Sequence, residues 1–295
     1  MRSGFVSFIG RPNVGKSTLL NTLMTHKIAI TSDKAGTTRN IIQGIYNEKD
    51  YQIVFVDTPG IAKPINRLGK VLNQKALEQI EDVDCILFVV DGKKGIGPGD
   101  RYIIEILKRV TTPVVLVINK IDELTKEQLM DSIVKYKDLY PFADIVPVSA
   151  YTADNTDRLL EVIKKYLTDE VLYFDDDMIT SSTMGFMVSE IVREKLLNET
   201  VDEVPHSIAC NCVGYEEKKD IVNILVDIIV DRDSIKKIVI GKNGNRLKRV
   251  GILAREEIEG IVGKKVYIEL YVKTIKNWKE KEKYLLELGY LNQDE

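Results

Sequence analysis

The chain has 295 residues, enough for two domains of ordinary size, and its 44% hydrophobic and 29% charged residues match a soluble globular protein. A formal net charge of −3 excludes a globally basic nucleic-acid binder, and no stretch approaches the roughly 18 apolar residues that a membrane span needs. His26 and His206 are the only histidines, Cys210-Asn211-Cys212 has the wrong spacing for a redox or zinc pair, and the apolar run Phe5–Ile9 is too short for a secretory signal. An intracellular protein with reduced thiols is expected.

In chain order, Gly4–Ile9 reads as a short apolar strand ending at Gly10, and Ser17–Met24 opens a helical pattern. Ile41–Tyr46 and Tyr51–Val56 read as paired strands joined by the polar turn Asn47-Glu48-Lys49-Asp50. Cys85–Val90, Pro113–Ile118 and Asp144–Val148 are continuous apolar runs of the kind that parallel strands buried on both faces show. Helical spacing follows in Lys126–Leu139 and Asp157–Leu167. Strands alternating with helices predict a mostly parallel sheet with helices on both faces over residues 1–170.

Leu172-Tyr173-Phe174-Asp175-Asp176-Asp177 reads as a solvated connector inside a linker over 171–183, and a second domain is expected over 184–295. There the predicted order is a helix over Glu190–Leu197, strands over Ser207–Tyr215 and Asp220–Val230, and a helix over Ser234–Ile240. A Gly-rich turn, a helix over Leu247–Ile261, a strand over Lys265–Thr274 and a helical tail from Trp278 to Tyr290 complete it. Trp278 is expected to pack, and Ile238, Val239 and Ile240 to belong to the core. Charge is uneven: residues 171–231 carry a net −9 and residues 232–283 a net +8. A polyanion would bind the later segment, whereas a charged face merely facing water gives the same count.

Gly10-Arg11-Pro12-Asn13-Val14-Gly15-Lys16-Ser17 fits G-x-x-x-x-G-K-[ST] between a strand and a helix, the form of a phosphate-binding loop. Its backbone N–H groups and the helix N-terminus face the phosphates. Lys16 is placed to reach the β- and γ-phosphates, and the Ser17 hydroxyl to ligate Mg²⁺. Asp57-Thr58-Pro59-Gly60 follows the third predicted strand, where an aspartate can hold Mg²⁺ and the Gly60 N–H can sense a γ-phosphate. Asn119-Lys120-Ile121-Asp122 follows Pro113–Ile118; the Asp122 carboxylate can accept from two adjacent N–H groups on guanine, a donor pair that adenine lacks. Ser149-Ala150 follows the next strand and would bring a backbone N–H to the guanine carbonyl. Four sites in this order, each at the carboxyl end of a strand, predict GTP as the ligand.

These motifs, with Gly36-Thr37-Thr38-Arg39, resemble the branch of P-loop GTPases that contains Era, TrmE and Der. The resemblance implies that the segment around Thr37 and Thr38 is the first switch, with Thr38, ahead of Thr37, completing the Mg²⁺ shell. It sets Lys16, Thr38 and Gly60 as the groups that act on the γ-phosphate. It leaves Asn13 as either a potassium ligand or a plain loop residue, and Arg39 as a candidate internal arginine finger. Ile61 stands where Ras-like enzymes carry the glutamine that orients water, so slow intrinsic hydrolysis is expected.

Gly241-Lys242-Asn243-Gly244 between two helices matches the GXXG loop of a KH domain, which clamps single-stranded nucleic acid. Lys242, Arg246, Lys248 and Arg249 would supply charge to the phosphates. An α/β P-loop GTPase domain followed by an α+β, type II-like KH domain is similar to the Era family. Resemblance implies GTP/GDP and Mg²⁺ as cofactors, with K⁺ as an open addition. It also implies binding to the 3′ region of small-subunit (16S) rRNA during assembly of that subunit, no DNA, a cytoplasmic location and some peripheral membrane contact. Two other readings stand beside it: an RNA-binding protein whose nucleotide site is structural, and a membrane-associated or tRNA-modifying regulatory GTPase.

Overall fold

The computed structural model describes residues 1–291 and divides into two compact units. The first comprises residues 1–31, 38–65 and 69–181; the second runs from Ser182 onward and also contains residues 32–37 and 66–68.

The first unit is built on β1 (Arg2–Ile9), α1 (Lys16–Met24), β2 (Ile42–Glu48), β3 (Tyr51–Asp57) and α2 (Arg67–Glu78), whose first two residues cluster with the other unit. It continues with β4 (Cys85–Asp91), α3 (Pro98–Leu107), β5 (Val114–Asn119), α4 (Lys126–Lys137), β6 (Asp144–Pro147) and α5 (Thr156–Ile163). The strands form one sheet in the order β2-β3-β1-β4-β5-β6, with β2 antiparallel to β3 and every other pair parallel. Both faces are covered, so β4 is buried along its whole length and reads as the unbroken run Cys85–Val90 rather than an alternation. Because β1 pairs with β3 on one side and β4 on the other, the sheet reverses its winding at β1, the switch point where such sheets bind ligands.

Local chemistry sets the helix starts. Thr125 caps α4, its hydroxyl accepting from Gln128 N while Gln128 Oε1 accepts from Thr125 N. Pro98 begins α3, and Asp100 reaches back to the Gly97 N–H at 2.8 Å. The stretch expected as a linker, 171–183, differs from that reading over most of its length. Ser3 Oγ donates to Val171 O, Gln52 accepts from the N–H groups of Tyr173 and Phe174, and Ile45 N donates to Ile179 O. It lies along the sheet because β2 and β3 leave backbone and amide groups there that need partners.

The second unit contains α6 (Met184–Glu199), β7 (Ile208–Glu217), β8 (Ile221–Val230), α7 (Asp233–Ile240), α8 (Asn245–Val262), β9 (Lys265–Thr274) and α9 (Glu282–Glu287). Its sheet runs β7-β8-β9, antiparallel then parallel. Val222, Val226, Ile228 and Val230 of β8 pack with Val188 and Val192 of α6, Val239 of α7 and Val250, Ala254 and Ile258 of α8. Burial alternates from Ile221 to Val226, as a sheet covered on one face requires, and then runs unbroken from Val226 to Val230, where Asp227 and Ile229 are buried as well. Trp278 is buried: its Nε1 donates to Ser207 O at 3.2 Å and its ring stacks on Tyr290. The tail is less helical than expected, with one turn at Trp278–Glu280 before α9. Ile238 is 41% exposed, not core, since only Val239 of that trio faces the sheet fully. Among the described residues no helix is long and apolar enough to cross a membrane.

Candidate functional site

The carboxyl ends of β1, β3, β4, β5 and β6 lie along one edge of the first sheet, and each of the motif loops leaves from one of them. After β1 the phosphate loop enters α1. Lys16 lies buried within the loop, its ammonium donating to the carbonyls of Gly10 and Arg11 at 3.3 and 3.2 Å. Burial lowers its pKa to about 8, against the attraction of Asp57. Gly60 of the following loop approaches so closely that a Cβ there would fall 2.6 Å from Pro12 N, so only glycine lets the two loops meet.

Three side chains predicted for the metal converge. Ser17 Oγ lies 2.5 Å from Asp57 Oδ2 and 2.7 Å from Thr38 Oγ1, and Thr38 Oγ1 lies 3.5 Å from Asp57 Oδ2. Thr37 does not join them; its hydroxyl donates to Lys34 O at 2.6 Å. Asp57 is fully buried, and burial pushes its carboxyl up although Lys16, Ser17, Thr38 and the Thr58 amide all favour the charged form. Its second oxygen, Oδ1, is buried with no partner among the described residues. Two hydroxyls and one carboxylate, with one of its oxygens unsatisfied, form an all-oxygen donor set that fits a hard divalent cation such as Mg²⁺.

Asn119, at the end of β5, binds three loops. Its Nδ2 donates to Val14 O at 2.9 Å, and its Oδ1 accepts from Lys120 N at 2.8 Å and Ala150 N at 2.9 Å. Lys120 Nζ donates to Asn13 O at 3.1 Å and pairs with Asp91 Oδ2 at 2.7 Å. Asp122 is exposed on the short turn Ile121–Glu123. Asp91 was not singled out in the sequence. Burial alone would raise its carboxyl, but Lys120 and the Lys94 N–H hold it below the usual carboxylate range.

Several expected nucleotide contacts have other partners. Arg11 turns to α3, with Nε on Asp100 Oδ1 at 2.8 Å and Nη2 on Gly95 O at 3.1 Å. Thr58 is buried and donates to Phe8 O at 2.6 Å. Ile61 is buried in the core with its N–H on Gly10 O, so its side chain cannot reach a water at the γ-phosphate. In the Ser149-Ala150 turn the Ala150 N–H donates to Asn119 Oδ1 and the Ser149 N–H to Asp154 O, while Ser149 Oγ accepts from Thr152 N. Arg39 is 3% exposed, an interior arginine.

In the second unit the GKNG loop joins α7 to α8. Gly241 and Gly244 have φ of 76° and 75°, the left-handed range that favours glycine, and Asn243 between them is also left-handed. A groove of about 460 Å³ starts at Gly244 and runs between α8 and β9, floored by Leu247, Gly251, Ile268 and Leu270 and edged by Lys248 and Arg255. Two of the expected phosphate contacts are engaged elsewhere: Arg246 Nη1 donates to Ile238 O, and Arg249 pairs with Glu199 at 3.0 Å. Lys242 and Lys248 are exposed and make no ion pair among the described residues. Gly251, at mid-helix, is the one signal in the sequence that could have located the groove, because its missing side chain opens α8 toward Leu270.

A model of the 50S ribosome-binding GTPases matches residues 5–120, and a KH domain model matches residues 203–279. The chain is 40% identical to Era in a crystal structure with MgGDPNP and nucleotides 1506–1542 of 16S ribosomal RNA, covering 99% of this chain and 100% of that one with a TM-score of 0.96. Identity, coverage and TM-score are the same for a tyrosine-to-alanine variant of Aquifex aeolicus Era bound to GDP and tetrafluoroaluminate. At 40% identity over 99% of its length, with a GTPase model and a KH model matched in turn, the chain belongs to the Era family of GTPases.

Proposed function

We propose that the protein is a GTP-hydrolysing switch that binds the 3′ region of 16S rRNA through its KH unit and assists assembly of the small ribosomal subunit. The observation that carries this reading is the convergence of Ser17, Thr38 and Asp57 in a chain that also presents the GKNG loop and its groove. It is supported by the related Era structure, which holds a GTP analogue and that RNA together.

Lys16 holds the β- and γ-phosphates, and Ser17, Thr38 and Asp57 hold Mg²⁺. The metal, when bound, neutralises charge on the phosphate oxygens. The Gly60 N–H reads the γ-phosphate, and Asp122 selects guanine. Thr38 and Gly60 therefore report whether a γ-phosphate is present, and its loss on hydrolysis releases the loops that carry them. Asn13 is the candidate ligand for K⁺. In the KH unit Lys242 and Lys248 take phosphates, and the glycines let the RNA backbone close on the loop. Subunit assembly places the protein in the cytoplasm; peripheral membrane association is the finer reading, tested by co-sedimentation with vesicles of anionic phospholipid.

The test is GTP turnover with and without an RNA fragment from the 16S 3′ end, in sodium and then potassium buffer. Acceleration by RNA is expected, and a potassium requirement assigns Asn13 as a ligand. Turnover undetectable under every condition would leave the nucleotide site structural and overturn the switch.

A further inference from the structure

The second unit contains a buried ion pair on α6, outside the GKNG loop and its groove. Arg193 on α6 is completely buried, and Glu190, one turn earlier, is 6% exposed. Arg193 Nε and Nη2 donate to the two carboxylate oxygens of Glu190 at 2.8 and 2.5 Å. Nη2 also donates to the main-chain carbonyl of Thr37, which lies in the 32–37 segment of the same unit. Nη1 is buried without a partner among the described residues. A pair in such a place adds little stability over packed apolar side chains, so stability alone does not account for it.

The segment it holds is locally closed. Thr37 Oγ1 donates to Lys34 O, and Lys34 N donates to Ser32 Oγ. The carbonyl of Thr37 lies in one rigid peptide plane with the N–H and Cα of Thr38. Fixing that oxygen therefore restricts where the Thr38 hydroxyl can be, and that hydroxyl is the one set against Ser17 and Asp57.

We propose that Arg193, oriented by Glu190, is a positioning residue for the GTPase reaction, holding Thr37 O so that Thr38 is set for nucleotide carrying a γ-phosphate. This rests on the reading of Ser17, Thr38 and Asp57 as the Mg²⁺ side of the site. Arg193 touches no nucleotide and acts through the Thr37–Thr38 peptide. Coupling of this kind is reciprocal, so a nucleotide that holds Thr38 also steadies Arg193 on α6.

The test uses the full chain and compares affinity for GDPNP and for GDP, both with Mg²⁺, in Thr38→Ala, in the pair Glu190→Gln with Arg193→Met, and in the combination of all three. The paired change removes both charges, so neither is stranded in the interior. Melting and binding of the 16S 3′ fragment verify the fold. Thr38→Ala and the charge-removing pair should each weaken GDPNP by about tenfold, the size of one lost hydrogen bond to a charged group, and leave GDP within about twofold. The combination should be no weaker than Thr38→Ala alone, because both act on one hydroxyl. Equal weakening of GDP and GDPNP, no weakening, or additive losses would each overturn the proposal. If Thr38→Ala itself leaves the GDPNP-to-GDP ratio unchanged, the magnesium-side reading fails and this proposal falls with it. Should the paired variant not fold, Glu190→Gln alone keeps the side-chain shape and must move the ratio in the same direction; an unmoved ratio overturns the proposal.

Discussion

Replacing Asn119 with alanine should loosen the nucleotide site by a predictable amount. The amide is 2% exposed and makes hydrogen bonds to Val14 O, Lys120 N and Ala150 N. Without it, the carbonyl of Val14 and the N–H of Ala150 are left in a buried setting, each costing about 1–3 kcal/mol, whereas the N–H of Lys120 is near enough to water to recover. A total of about 3 kcal/mol is a large part of the roughly 5–15 kcal/mol that holds a domain together. If the loss stays local, GDP affinity falls about 150-fold; if it spreads, the melting midpoint of the nucleotide-free protein falls by roughly 6–12 °C. Asn119→Asp is a sharper form of the test. It keeps the acceptor for Lys120 and Ala150 but sets a carboxylate oxygen against Val14 O, where the amide nitrogen now lies at 2.9 Å. It should be worse than alanine at neutral pH and improve as acid protonates it, because a protonated carboxyl can donate to Val14 O. Displacement of a fluorescent GDP and thermal melts of the same samples measure both quantities. GDP affinity within twofold together with an unmoved midpoint in Asn119→Ala would refute the reasoning, as would an aspartate variant better than alanine at pH 7.

Asp122→Asn should exchange guanine for xanthine preference; unchanged selectivity for GTP over XTP in competition would remove Asp122 as the base-reading group. Gly244→Asp should abolish binding of the 16S 3′ fragment and leave GTP affinity intact, because a Cβ at 244 meets nothing within 4 Å and aspartate tolerates the left-handed backbone better than most residues; retained RNA affinity would show that phosphate does not approach this loop. Burial lowers Lys16 from 10.5 to about 8, so between these values the unfolded chain binds more protons than the fold. Stability of the nucleotide-free protein should accordingly fall as pH drops from 10.5 toward 8 and then level off. Phosphate restores the charged form, so GDP binding in EDTA at pH 8.5 should take up roughly 0.7 of a proton; calorimetry in two buffers of different ionisation heat reads this, and proton release would contradict it. Trp278→Ala should cost about 3–5 kcal/mol and lower the urea midpoint of the KH unit, and a shift below 1 kcal/mol would mean that the tail is not part of that core.

Much of the first unit was legible because buried parallel strands leave unbroken apolar runs, and loops that serve phosphate or guanine leave short motifs at their ends. Elements that obey neither rule were missed. The helix Arg67–Glu78 buries Leu68, Val71 and Ala76 among charged and polar residues, too sparse a stripe to separate from a loop. Residues 171–179 read as connector because they bond to the sheet through their own backbone groups, which have no sequence signature; only Thr180 and Ser181 add side-chain hydroxyls, both to Gln43. Asp91 and Asp100 are single carboxylates whose partners, Lys120 and Arg11, are distant in sequence, so nothing near them marked their role. Arg11 was expected at the phosphates because it sits in the loop, yet Asp100 is buried beside it and needs a cation more. In the KH unit the glycines marked the loop, but which cations remain for RNA depended on where Ile238 O and Glu199 ended up.

The position of Ile61 argues about where the catalytic rate originates. Its side chain is packed into the core and its N–H is joined to Gly10 O, so residue 61 is fixed and apolar in this fold. No movement of the loop short of unpacking that core can bring the side chain to an attacking water, and its chemistry would be wrong if it arrived. The rate then rests on the other groups set toward the γ-phosphate: Lys16, the Thr38 hydroxyl and the Gly60 N–H. Thr38 is adjacent in sequence to the carbonyl that Arg193 holds, and Arg193 belongs to the helix that packs on β7 and β8 of the RNA-binding sheet. If RNA steadies α6, the path of its effect on turnover therefore runs through Arg193 and Thr38 and not through residue 61.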